Sequence, residues 1–172
     1  MNKAARTLAA GVAVAALALT GCANSPADAA TVNGVRIADS TVREVARVLG
    51  QATGSETGLA LKQATYDLVL GEAARQVAAS TGTTITAADQ QEVIGQYPAV
   101  AAVSQVPGGA EWADAATRAF LLQEELGADK FVEEVGKLDV TINPRYGQWD
   151  ASRASFGDAS LARAADSATL RR

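Results

Sequence analysis

The chain contains a single cysteine, Cys22, and no histidine. One cysteine has no partner within the chain, so no internal disulfide can staple the fold. The structure must be held by packing alone. Apolar residues make up 48 % of 172 residues, enough for one domain with a real core and too many for wholesale disorder. Aromatic residues are only 5 %, and alanine is used heavily. That composition predicts closely packed, Ala-rich helices and argues against a β-sandwich, which draws on more valine, threonine and aromatics. The expected class is mainly α.

The cysteine also ends a distinctive segment. Lys3 and Arg6 form a basic start, and an unbroken run of apolar or small residues follows over 8–19 (LAAGVAVAALAL). About a dozen residues is too short for a bilayer-spanning helix, which needs roughly 20. Charge, then a short apolar run, then small residues reads as a secretory signal. The run closes Leu19-Thr20-Gly21-Cys22, which resembles the bacterial lipobox at all four positions. The resemblance implies removal of 1–21 and a diacylglyceryl group on the Cys22 thiol. The expected location is then the outer face of the cytoplasmic membrane, with the lipid on Cys22 as the membrane partner. Residues 22–30, small and polar with one proline, read as a tether.

Beyond it, Asn33-Gly34 between Val32 and Val35 predicts a hairpin over 31–37, because a type I′ turn needs positive φ at both central positions. Thr41 and Glu44 fit a capping box for a first helix over 40–49, ended by Gly50. A second helix over 58–80 carries apolar residues on two faces, as a central helix does. Its interior Gly71 implies close packing. Thr86 to Asp89 opens a third helix over 86–96, which Pro98 ends. Residues 99–109 read as a loose stretch. A fourth helix over 110–126 aligns Trp112, Ala115, Ala119, Leu122 and Leu126, and a last turn or two holds Phe131, Val132 and Val135. Residues 138–142 alternate as a strand. Residues 151–172, rich in Ala, Ser and Arg, read as a mobile tail.

Several chemistries are excluded. Without histidine there is no Ser-His-Asp or Cys-His catalysis in its usual form and no His-ligated metal. A net charge of −4 disfavours nucleic acid as a partner. No nucleophile elbow, Gly-rich phosphate loop or Cys-x-x-Cys occurs. Glu124, Glu125, Glu133 and Glu134 read as a solvated helix face, since no other ligand type accompanies them. No catalytic residue, cofactor or metal is expected.

The hairpin written V-N-G-V-x-I, the helical middle and the late V-x-I-N-P-R-Y-G-x-W-D together resemble the N-terminal domain of SurA-type chaperones, and more narrowly the lipoproteins of high-GC Gram-positive bacteria that carry it; the foldase PrsA shares the plan. The resemblance rests on 31–43 and 140–150. It implies a domain of four to five helices over 31–150, with the hairpin pairing with the late strand. It also implies binding of non-native or secreted polypeptides outside the cytoplasm. Family members often add a parvulin prolyl-isomerase domain. The remaining 22 residues leave no room for one, and its histidines are missing, so isomerase activity is not expected. The expected function is therefore a lipid-anchored chaperone-like protein; the alternative is an adapter lipoprotein with one cell-envelope partner. Tyr97, Trp112 and Trp149 are candidate polypeptide-binding residues, because large aromatics are scarce here and suit hot spots; ordinary packing is the competing role. Arg145 and Asp150 read as an ion pair fixing the turn.

Overall fold

A computed structural model describes residues 27–157; the signal, the lipobox with Cys22, and residues 158–172 lie outside them. Asn33 and Gly34 take φ of 45° and 80°, as the type I′ turn demands, and join β1 (Asp28–Val32) to β2 (Val35–Ala38). Val32 faces Val35 across the turn. On its other edge β1 pairs antiparallel with β3 (Val140–Ile142), Val32 opposite Val140 and Ala30 opposite Ile142. The order β2-β1-β3 makes the first strand the central one. Asn33 fastens the arrangement. Its N–H donates to the Asp139 carbonyl at 2.7 Å, its Oδ1 accepts from the Asp139 N–H at 2.7 Å, and its amide reaches Gln76 at 2.9 Å.

The tether reading fails at its C-terminal end. Asp28, Ala29 and Ala30 are buried in β1. Alanine is a poor strand former, but a ladder on both sides and helices above outweigh propensity.

Six helices occur among the described residues, one more than the upper expectation: α1 (Asp39–Thr53), α2 (Thr57–Thr81), α3 (Ala87–Gln96), α4 (Pro98–Ser104), α5 (Gly109–Leu126) and α6 (Ala128–Gly136). Gly50 does not end α1. Gly54 does, in the left-handed conformation at φ 69°, its N–H donating to the Gly50 carbonyl at 2.9 Å. Nor do Thr41 and Glu44 form a capping box, since the helix already begins at Asp39 behind Ala38. The box at Thr86 and Asp89 is present: the Asp89 N–H donates to Thr86 Oγ1 at 3.2 Å, and the Thr86 N–H to Asp89 Oδ2 at 2.8 Å. Pro98 follows the end of α3, which stops at Gln96 with Tyr97 extended as expected before a proline, and it also starts a helix; its missing N–H would be unpaired there anyway. The stretch read as loose is therefore largely α4.

Helix α2 is central, with buried residues on most of its circumference, and packs on α1, α5, α6 and β1. Gly71 is its contact point with α5. A Cβ there would meet the Ala115 side chain and stand 2.9 Å from the Ala115 carbonyl oxygen.

Two short strands end the described chain, β4 (Gln148–Asp150) and β5 (Ser155–Gly157), paired antiparallel with Trp149 opposite Phe156. Residues 151–157 thus fold back on the domain, and the boundary at 151 falls too early. Phe156 supplies the reason: its ring lies 5.7 Å from Tyr66 on α2 and 6.4 Å from Trp149.

Candidate functional site

Helix α4 has the sequence PAVAAVS. Its short side chains do not fill the space over α1 and α2, and a groove of about 730 Å³ remains between α1, α2, α4 and the start of α5. Val48, Leu49 and Ala52 line it from α1, Leu59 and Ala60 from α2, Ala99, Val100 and Val103 from α4. Leu59 is 62 % exposed and Val106, just past α4, is 41 % exposed. Two aliphatic side chains thus stand in water at the rim of an apolar trough. Close backbone contact sets the α4–α5 corner: a Cβ on Gly109 would overlap the Val103 carbonyl.

One end of the groove is polar. Trp112 Nε1 donates to Asp67 Oδ2 at 2.6 Å, and Gln63 Nε2 donates to Asp67 Oδ1 at 2.8 Å. Burial pushes the Asp67 carboxyl above the usual aspartate range, and these two hydrogen bonds pull the other way without cancelling it. Among the described residues, Asp67 is the only charged one in the lining.

Of the three aromatic candidates, only Trp112 lines the groove. Tyr97 joins α3 to α4 and is 49 % exposed, but stands outside the lining. Trp149 packs edge-on against Phe156, and its Nε1 is buried without a hydrogen-bond partner among the described residues. The structure does not bring the three together. Cys22 and the lipobox lie outside the described residues. Leu59, Val103, Val106 and Asp67 were not singled out as binding residues, and the available signal was Pro98 followed by valines at helical spacing.

Other charged groups serve the fold. Lys137 pairs with Glu133 at 3.0 Å and Glu134 at 2.8 Å. Arg145 reaches Asp39 at 3.2 Å, and Asp150 faces Arg153 at 3.8 Å. No group of acidic, Cys or His side chains suited to a metal ion occurs among the described residues, and none of their helices is long and apolar enough to cross a membrane. No protein-family model, curated protein or solved structure matches the chain.

Proposed function

We propose that this chain is a lipid-anchored, extracytoplasmic chaperone-like protein, akin to the N-terminal domain of SurA-type chaperones. It holds apolar stretches of non-native or secreted polypeptides and has no prolyl-isomerase or other enzymatic activity. The observation that carries this reading is the apolar groove with Leu59 and Val106 exposed at its rim. Its volume falls in the range of about 300–1,000 Å³ of sites that bury a ligand, and its walls are mostly apolar, as a hydrophobic segment requires. The lipobox supports the anchor, and the hairpin paired with a late strand agrees with the architecture that the resemblance implies.

The test uses lipid-free residues 23–172 and a denatured client that aggregates. At near-equimolar ratio the protein should suppress light scattering more than a folded control does, and Leu59→Asp should weaken the effect while leaving the circular dichroism spectrum unchanged. Folded protein without suppression would overturn the reading and favour the adapter, to be sought by cross-linking in intact cells.

A further inference from the structure

The groove carries one acidic side chain, Asp67, and no basic residue among the described ones lines the groove with it. Both oxygens of Asp67 are held by neutral donors, Trp112 Nε1 and Gln63 Nε2, which fix the carboxylate without supplying a positive charge. No lysine or arginine lines the groove, and no charged neighbour contributes to the Asp67 environment among the described residues. An ionised carboxylate offers about four acceptor positions, so two neutral bonds leave room for more. A half-buried carboxylate in apolar walls attracts a cation more strongly than one in water.

We infer that the groove selects polypeptide segments in which an apolar stretch carries a lysine or arginine, the cation seating against Asp67 beside Trp112. This rests on the reading of the groove as a polypeptide site and adds a selectivity to it. Apolar side chains of the segment fill the trough between α1, α2 and α4 and meet Leu59 at its rim. A segment with an acidic residue at the same place is repelled and loses hydration without compensation. The upward push of burial on the Asp67 carboxyl fits an anion whose partner comes from outside the chain.

The experiment places the whole chain in phosphatidylcholine nanodiscs, with empty discs as control. Binding of two fluorescent twelve-residue peptides is followed by anisotropy. Both are built from Ala, Val, Leu and Ser and differ only in a central Lys or Gln. The Lys peptide should bind about tenfold more tightly. Asp67→Asn should remove that difference by weakening the Lys peptide alone. The substitution is isosteric, and flipping the Gln63 amide satisfies the new NH₂, so the fold should persist. Equal binding of both peptides to the unaltered chain overturns the inference and leaves the groove reading standing; this arm needs no variant. A Lys preference that survives Asp67→Asn also overturns it, since the cation would then sit elsewhere. Failure of both peptides to bind overturns the inference together with the groove reading.

Discussion

Asp39 ties the start of α1 to a distant part of the chain. It opens α1, where a negative charge suits the helix dipole. Its Oδ2 accepts from Arg43 Nε at 2.6 Å; its Oδ1 accepts from Arg145 Nη1 at 3.2 Å and from the Tyr146 hydroxyl. The segment after β3 is thereby clasped to the start of α1. The Arg43 hydrogen bond, then that of Tyr146, holds the Asp39 carboxyl below the usual aspartate range, and burial with the Asp39 contact pushes the Tyr146 phenol up. A carboxyl lowered in the folded state stabilises the fold above its unfolded pKa of about 3.9 and loses that contribution as pH falls through the lowered value. Asp39→Asn should therefore cost about 1 kcal/mol at pH 7, screening at the surface keeping it small. It should also flatten the fall in stability below about pH 4, which denaturant melts across pH would record. These roles were hidden in the sequence because the partners stand 106 and 107 positions away. The same holds for Asp67, whose Trp112 partner lies 45 positions on. Local motifs were readable and distant polar partners were not.

At the scale of elements, packing of α2 on α5 decides the core. Gly71→Ala puts a methyl into Ala115 and its backbone, which can yield only if the two helices separate. The expected cost is about 2 kcal/mol or more, despite the better helix propensity of alanine. Gly95 in α3 is the contrast. A Cβ there meets nothing within 4 Å, so Gly95→Ala should stabilise by roughly 0.5–1 kcal/mol. Chemical denaturation of the two variants side by side checks both signs. Periodicity located α2, α3 and α5 to within a residue or so at each end, and Asn33-Gly34 located the hairpin, because local rules set those features. It missed β1 before Thr31, since Asp28, Ala29 and Ala30 are strand only through their two neighbours. It missed β5, since Ser155–Gly157 carries a single large apolar residue. It read Pro98 only as a stop and so missed α4, because proline serves equally as a stop and as a first helical residue.

At the scale of the whole molecule, the helical body is closed by the β2-β1-β3 sheet and leaves a groove open beside the slender α4, and the proposed anchor is Cys22. The helical class and the hairpin were legible from alanine-rich amphipathic segments and Asn33-Gly34, whereas the pairing of the hairpin with the late strand was expected only from the resemblance to SurA-type domains. The groove was not legible. It arises from what α4 fails to fill, and exposed Leu59 and Val106 look like ordinary helix and loop residues until the elements are assembled. The proposed function stands or falls on whether this groove receives polypeptides. The most direct measurement places a photo-cross-linking amino acid at Leu59, at Val106 and, as a control, at Phe120, which is 44 % exposed on α5 and outside the groove. Each variant of the full chain is irradiated in living cells. Adducts with secreted polypeptides are expected from positions 59 and 106 and almost none from 120; equal labelling at all three positions, or none from the groove, would show that the groove is not where polypeptides bind.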